Sequence, residues 1–317
     1  MWLTEAQFQN QYPGDIRHYF DAGQQGQLQG VDGVTLHYRL FLPEGASTLL
    51  VLSSGRTESV IKYQELIYEL GQKGVAVAAL DHRGQGLSSR MTEDSHLGYV
   101  DDFEHYAADL DHFVQKVVVP LGYEQHWLLA HSMGGCISAL LLERYPHPFK
   151  KVVMVSPMFA IHTNPFPQWV ARSMARWQSQ QDKKRGQPRY VPTAGPYLRR
   201  AFEDNELSHS KVRYERCMDW LDEIPGARLG GPSAQWLNAA FLAMDKAIAN
   251  ACNIKVPVLV IAAGDDKVVS LEGQQAFVAA LPNGRLDRVA GGWHELLLES
   301  DEYRLVTLAT LWAFFNG

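Results

Sequence analysis

Six short apolar runs are spaced along the chain, and none of them alternates strictly between apolar and polar residues. Runs rich in Val, Leu and Ala without alternation predict strands that are buried on both faces, as in a parallel sheet. They occupy residues 47–54, 75–82, 126–132, 151–158, 256–264 and 286–292. Ahead of them, residues 27–42 predict a hairpin with Asp32-Gly33 at its turn.

Helical patterns separate these runs. Residues 101–120 carry apolar side chains at helical spacing from Phe103 to Val117, and Pro120 ends the segment. Residues 132–145 and 303–316 also predict helices. Strands that alternate with helices indicate an α/β fold, in which right-handed crossovers build a mostly parallel central sheet.

Residues 159–250 interrupt this alternation. They contain four tryptophans and several Pro and Gly residues but no convincing core strand, so we expect an inserted, mostly helical cap. Residues 1–158 and 251–317 then form the α/β core. Between Pro167 and Arg216, 11 Lys and Arg residues face 5 acidic ones. This excess is typical of a solvated helical face, or of a patch that contacts anionic phospholipid surfaces.

Composition narrows the range of functions and compartments. The net charge of -6 and the pI of about 6.1 argue against nucleic acid as a partner. Three widely spaced cysteines without a C-x-x-C motif predict neither a disulfide framework nor a zinc site, and they favour a reducing compartment. The N-terminal residues lack a signal-peptide pattern, and no apolar run approaches the roughly 18 residues of a membrane span. We therefore expect a cytoplasmic protein, or one that is peripheral on the inner face of the cytoplasmic membrane.

A candidate nucleophile lies between the run at 126–132 and the helix that follows it. Ser132 belongs to the stretch Ala-His-Ser-Met-Gly, which matches the nucleophile elbow G-x-S-x-G except that Ala130 replaces the first glycine. The tight turn requires small residues on both sides, and Gly134 and Ala130 meet that requirement. The backbone N–H of Met133, at the start of the helix, is suited to bind an oxyanion. The alternative is a serine that only caps the helix.

A serine nucleophile needs a base and an acid, which in this kind of fold follow it in the order Asp or Glu, then His. Asp265 and Asp266 follow the run at 256–264, and His294 is the only histidine after residue 209. One of the two acids is expected to orient the imidazole. The second oxyanion donor is expected to be the N–H of Arg56, in the loop after the first core strand. The Arg56 side chain is expected either to bind a phosphate or to pack in the loop.

Four motifs together resemble a known family. The motifs are LDHRGQGLSSR (80–90), AHSMGG (130–135), GDDKVV (264–269) and GGWHELLLE (291–299). They are similar to the monoacylglycerol lipase and lysophospholipase branch of the α/β-hydrolases, and most of all to its bacterial inner-membrane lysophospholipases, which also have Ala at the first elbow position. The resemblance extends over roughly residues 35 to 315 and includes SHSKVRYER and GGPSAQW in the cap.

The resemblance implies a role for each site residue: Ser132 as nucleophile, His294 as base and Asp266, rather than Asp265, as the orienting acid. Ser54-Gly55 stands where the family usually has His-Gly, which leaves the N–H of Arg56 in register. The motif from Asp81 to Gly86 is interpreted as structural.

The expected activity is hydrolysis of the acyl ester of lysophospholipids, with transacylation as a side activity. It requires no metal or cofactor. The alternatives are a monoacylglycerol lipase or short-ester carboxylesterase with the same triad, and a non-catalytic binding protein with a hydrolase fold.

Overall fold

The structure, a computed structural model, describes residues 2–192 and 194–317. Eight strands form one sheet in the order β1-β2-β4-β3-β5-β6-β7-β8. β1 and β2 pair antiparallel, β2 also runs antiparallel to β4, and all the other pairs are parallel. The strands are β1 (Gln24–Gln29), β2 (Thr35–Phe41), β3 (Thr48–Ser53), β4 (Val75–Leu80), β5 (Gln125–His131), β6 (Phe149–Val155), β7 (Val258–Ala263) and β8 (Gly284–Val289).

Ten α-helices connect and cover this sheet in the described part of the chain. They are α1 (Glu5–Gln11), α2 (Arg17–Asp21), α3 (Gln64–Gln72), α4 (Phe103–Phe113), α5 (Met133–Arg144), α6 (Gln168–Arg185), α7 (Lys211–Glu223), α8 (Ala234–Asn250), α9 (Leu271–Ala280) and α10 (Asp301–Asn316). The predicted α/β fold with a mostly parallel central sheet is confirmed. The predicted hairpin is present as β1 and β2, and its turn places Asp32 and Gly33 at positive φ.

The apolar runs of the inner strands lack alternation because both faces of the sheet are covered there. The prediction of burial on both faces is wrong for the run at 286–292, because β8 lies at the edge of the sheet and most of its residues are exposed or half-buried. Along β3, Leu49 and Val51 pack into the hydrophobic cluster on one face, whereas Leu50 and Leu52 pack into the cluster on the other. All four side chains are almost fully buried. A strand in this position has no solvent-facing side, so neither set of alternate residues is polar.

Residues 159–250 contain α6, α7 and α8, which differ in their relation to the sheet. α8 packs against α4, α5 and α9 as well as α6. α7 is joined to α3 by a buried ion pair between Arg213 and Glu65, with Nε and Oε2 2.8 Å apart. A division of the chain into a core and a cap at 159–250 remains a prediction, because α8 contributes Trp236, Phe241 and Met244 to a core cluster.

Candidate active site

Ser132 lies at a sharp bend between β5 and α5. Its backbone adopts φ 50° and ψ -118°, a region that side chains other than glycine rarely occupy. The bend is held on both sides, because the Ser132 N–H donates to the Val155 carbonyl and its own carbonyl accepts from the Met158 N–H. The serine therefore occupies a strained turn that neighbouring β6 and its following loop fix in place. A serine that merely caps a helix adopts extended backbone angles instead.

The two small residues of the elbow, Gly134 and Ala130, make different contacts with the sheet. A Cβ on Gly134 would lie 2.2 Å from the carbonyl oxygen of Ser53, so the helix can approach the end of β3 only with glycine at this position. Ala130 is fully buried within β5, where it pairs with Ser53 of β3 and Met154 of β6. The closest atoms around Gly134 thus belong to β3 and the residue after it.

Three side chains from different loops form one hydrogen-bonded chain. His294 Nε2 lies 2.9 Å from Ser132 Oγ, and His294 Nδ1 lies 2.8 Å from Asp266 Oδ2. The side chains of His294 and Asp266 are only 5% and 6% exposed, so water competes little for this contact. Asp265, by contrast, is exposed, and its carboxylate has no hydrogen-bond donor within the described residues.

The carboxylate of Asp266 is also fixed by the backbone. Its Oδ1 accepts hydrogen bonds from the N–H groups of Val268 and Val269, at 2.8 and 2.9 Å. Burial acts to raise the pKa of Asp266, but the hydrogen bond from His294 and those from the backbone outweigh burial and lower it. The acid is therefore charged near neutral pH and faces the imidazole.

The two predicted oxyanion donors come from separate loops. The N–H of Met133 is at the N-terminus of α5, where no intrahelical acceptor exists. The N–H of Arg56 follows Gly55, whose own N–H donates to Glu58 Oε2 at 2.5 Å. Among the described residues neither the Met133 nor the Arg56 N–H has a hydrogen-bond acceptor, and both therefore remain able to bind an oxyanion.

A buried polar cluster, which the sequence did not predict, lies beside these loops. Glu58 accepts hydrogen bonds from His131 Nδ1 at 2.9 Å, from Lys62 Nζ at 2.7 Å and from the Tyr63 hydroxyl. Lys62 also binds Glu295 at 2.6 Å. Glu58 lies in the loop of Arg56, His131 directly precedes Ser132, and Glu295 directly follows His294. The cluster therefore joins the three segments that carry the site.

The charges of this cluster support one another. Burial acts to raise the pKa of Glu58, but Lys62 and His131 overcome it and hold that pKa well below its usual range. Burial likewise acts to lower the pKa of His131, and the two carboxylates Glu58 and Glu295 reverse this and raise it. Ligand atoms of Glu58, His131 and Glu295 lie within 4.8 Å of one another, as in a metal site. The ammonium of Lys62 already bridges the two carboxylates, and it supplies the positive charge that a metal would bring.

Two mostly apolar cavities lie among the described residues. One, of about 220 Å³, lies between α7 and residues 57–62 and reaches Glu295; most of its lining is apolar, including Leu207, Met218 and Leu229. The other, of about 190 Å³, includes Ile161, Met174 and Leu237. The first cavity borders the site through Thr57 and Glu295, which follow Arg56 and His294 in the chain, whereas no described residue that lines the second is a neighbour of a site residue.

Comparisons with known proteins identify the family of the chain. The family model described as serine aminopeptidase, S33, matches residues 45–301. Lysophospholipase L2 of Escherichia coli strain K12 is 33% identical over 310 residues, which cover 96% of this chain and 90% of that protein.

The chain therefore belongs to the hydrolase family whose model is described as serine aminopeptidase, S33. A probable lysophospholipase L2 of Haemophilus influenzae is 30% identical and covers 99% of both chains. The crystal structure of a soluble variant of monoglyceride lipase from Saccharomyces cerevisiae superposes with a TM-score of 0.71 at 19% identity, covering 91% of this chain and 93% of that one. At this identity the likeness shows the fold alone. The expected α/β-hydrolase fold and the class of carboxylic ester hydrolases are thereby confirmed for this member of the family.

Proposed function

We propose that this hydrolase cleaves the acyl ester of lysophospholipids and releases a fatty acid and a glycerophosphodiester. The near full-length similarity to lysophospholipase L2 supports the substrate class. The single observation that carries the chemistry is the hydrogen-bonded chain from Ser132 through His294 to Asp266. The apolar lining of the cavity that reaches Glu295 suits a long acyl chain, since each buried methylene contributes about 0.8 kcal/mol.

The proposed reaction is a two-step acyl transfer. Ser132 Oγ attacks the ester carbonyl carbon while His294 Nε2 accepts the hydroxyl proton, and the N–H groups of Met133 and Arg56 bind the resulting oxyanion. His294 then donates that proton to the glycerol oxygen as the ester C–O bond breaks. Asp266 holds the imidazole in the required tautomer and stabilises its positive charge.

The second step regenerates the serine. Water loses a proton to His294 and attacks the acyl-enzyme, and the fatty acid leaves as Ser132 regains its proton. An alcohol group of another lipid that enters before water yields a transacylated lipid in the same manner. Neither step requires a group other than the substrate, water and the residues named above.

A substrate panel tests this proposal. Wild type and Ser132→Ala are compared on lysophosphatidylethanolamine, a diacyl phospholipid, a monoacylglycerol and an aryl ester. We expect the highest kcat/KM on the lysophospholipid, and loss of all of these activities in the variant. If the monoacylglycerol of the same chain length is cleaved faster, the chain is a monoacylglycerol lipase instead.

We further propose that α6 docks this enzyme on anionic membranes. The helix buries Ala175, Ser179 and Asp182, and on the opposite side it exposes Trp169 and Trp177, whose exposed fractions are 71% and 64%. Exposed tryptophans are typical of segments that rest in the interface of a bilayer. Among the described residues no helix combines the length and hydrophobicity that crossing a bilayer requires.

The basic excess of 167–216 is partly used within the protein. Arg213 is buried in its pair with Glu65, and Arg172 and Arg199 bind acids that lie outside the segment. Arg176 and Lys184, on α6, are exposed and have no acidic partner within the described residues. These two cations, beside the exposed tryptophans, favour an anionic phospholipid surface over a neutral one.

Vesicle sedimentation tests the docking surface. Wild type should bind vesicles that contain phosphatidylglycerol more strongly than vesicles of phosphatidylcholine, and salt should weaken the difference. Replacing both tryptophans by alanine should reduce binding at least tenfold, whereas Val306→Ala, which removes an exposed apolar side chain from α10, should not. Equal binding by the double variant and wild type would contradict the proposal.

A further inference from the structure

The side chain of Arg56, whose backbone N–H is the proposed oxyanion donor, has an unusual environment for an arginine. It is half-buried, and its guanidinium lies over the indole of Trp236, 5.1 Å from the ring centroid. Nη2 donates to the carbonyl oxygen of Gly230 at 2.5 Å. These two contacts fix the plane of the guanidinium in advance of any ligand.

The other buried arginines have more complete sets of partners. Arg83, Arg213 and Arg304 each form an ion pair with a buried carboxylate. Arg39 has no carboxylate partner among the described residues and its Nε is also buried without an acceptor, but its Nη2 donates to three backbone carbonyls. The Arg56 side chain donates to one carbonyl, and its Nε is buried without a partner. Within residues 2–192 and 194–317 no carboxylate lies within ion-pair distance of it.

A guanidinium without a carboxylate partner in this environment is suited to bind an anion. Burial lowers the pKa of Arg56 to about 10, which still leaves the group charged near neutral pH. Leaving a partly desolvated charge uncompensated is costly, and such a residue gains most when an anionic ligand supplies the missing acceptors. The planar fork of arginine matches the two oxygens of a phosphodiester.

The length of the Arg56 side chain matches the separation between the ester and the phosphate of the substrate. In a lysophospholipid about six covalent bonds separate the ester carbonyl carbon from the phosphorus, and about six separate the backbone nitrogen of an arginine from its Cζ. The N–H of Arg56 is the proposed oxyanion donor. One residue is therefore long enough to contact both the reacting carbonyl and the phosphate of the same molecule.

We propose that the guanidinium of Arg56 binds the head-group phosphodiester of the substrate. The inference rests on the proposed lysophospholipase function and names the contact by which this site distinguishes a lysophospholipid from a monoacylglycerol, which has no phosphate. The two groups of Arg56 thus have separate roles. Its backbone N–H stabilises the transition state of either substrate, and its guanidinium binds the head group of the lysophospholipid.

The ratio of two activities tests the proposal. For wild type, Arg56→Gln and Arg56→Lys, kcat/KM is measured on lysophosphatidylethanolamine and on a monoacylglycerol of the same acyl chain. We expect Arg56→Gln to lower the lysophospholipid-to-monoacylglycerol ratio by about 10- to 100-fold, and Arg56→Lys to retain part of it. A decrease in kcat/KM that is common to both substrates cancels in this ratio.

Arg90→Gln is the matched control. Arg90 also lacks a carboxylate partner in the described chain and donates to the carbonyls of Gly226 and Arg228, in the segment that Arg56 contacts at Gly230. If Arg56 only anchors this segment, both variants lower the two activities in parallel and leave the ratio unchanged. That result would overturn the proposal.

Inhibition by the expected product separates this inference from the proposed function. Cleavage of an aryl ester is measured with added glycerophosphoethanolamine or inorganic phosphate. Competitive inhibition by glycerophosphoethanolamine that Arg56→Gln weakens supports the subsite even if wild type fails to cleave lysophospholipids. Inhibition that the variant leaves unchanged, or an equal effect of free phosphate, contradicts a head-group site at Arg56.

Discussion

Replacing Asp266 by asparagine should abolish most of the activity while leaving the shape of the site intact. Asn has nearly the same volume, and its amide oxygen can still accept from the N–H of Val268 or Val269. Its NH₂ group, however, would donate toward His294 Nδ1, which lies 2.8 Å from Asp266 Oδ2. That contact favours the imidazole tautomer whose Nε2 carries a proton, and such an Nε2 cannot accept one from Ser132.

The expected loss is large. In serine proteases the same change lowers kcat about 10⁴-fold, which corresponds to about 5.5 kcal/mol of transition-state stabilisation. We expect a similar decrease here, because the Asp266 carboxylate is buried and charged as in that precedent. The assay is kcat on an aryl ester, with urea denaturation to check that the free energy of unfolding changes by less than about 2 kcal/mol.

The adjacent acid provides the control. Asp265 is exposed, so Asp265→Asn should change kcat by less than about twofold. The two variants remove the same charge from neighbouring positions, but of the two acids Asp266 is the one that contacts His294 and the N–H groups of Val268 and Val269. If Asp265→Asn were as damaging as Asp266→Asn, or if Asp266→Asn kept more than a tenth of the activity, this reasoning would be refuted.

Three further substitutions test the packing and the charges around the site. Gly134→Ala places a Cβ 2.2 Å from a carbonyl of β3, so it should lower the free energy of unfolding by about 1–3 kcal/mol and reduce kcat; unchanged values would count against the close approach. Glu58→Gln leaves buried Lys62 and His131 with less negative charge, and it should cost about 3–5 kcal/mol in urea denaturation, unlike the exposed control Glu44→Gln. The raised pKa of His131, which faces Glu58, Glu295 and Lys62, stabilises the fold below the unfolded pKa of about 6.5, and this contribution disappears as pH rises through the folded pKa. The melting temperature of wild type should therefore decrease more between pH 6 and pH 9 than that of His131→Gln, and parallel curves would contradict the pairing.

The sequence predicts the sheet because its signals are local. The strands β3 to β7 follow largely apolar runs, whose boundaries differ from the structure by only a few residues, as for 75–82 against Val75–Leu80. β2 is also largely buried, but it carries His37 and Arg39 and is not such a run. The elbow pattern indicates Ser132, and the expected order along the chain then selects His294, since only one histidine follows residue 209. The choice of Asp266 over Asp265 came from the family resemblance, and the structure brings Asp266 to the imidazole.

The buried cluster beside the site could not be predicted in the same way. Glu58 and His131 are 73 residues apart, and neither has a sequence pattern that indicates a partner. Charge counting over 167–216 likewise could not separate Arg213, which is buried against Glu65, from the exposed cations of α6. Both features depend on which helices, strands and loops the fold brings together, and residue type alone does not contain that information.

Covalent labelling by a fluorophosphonate, followed by peptide mass spectrometry, tests the central claim most directly. The account predicts a single adduct on Ser132, its absence in Ser132→Ala and a rate of labelling that falls at least 100-fold in His294→Ala. An adduct on another residue, or equally fast labelling without the imidazole, would contradict a nucleophile that His294 activates at the β5–α5 bend.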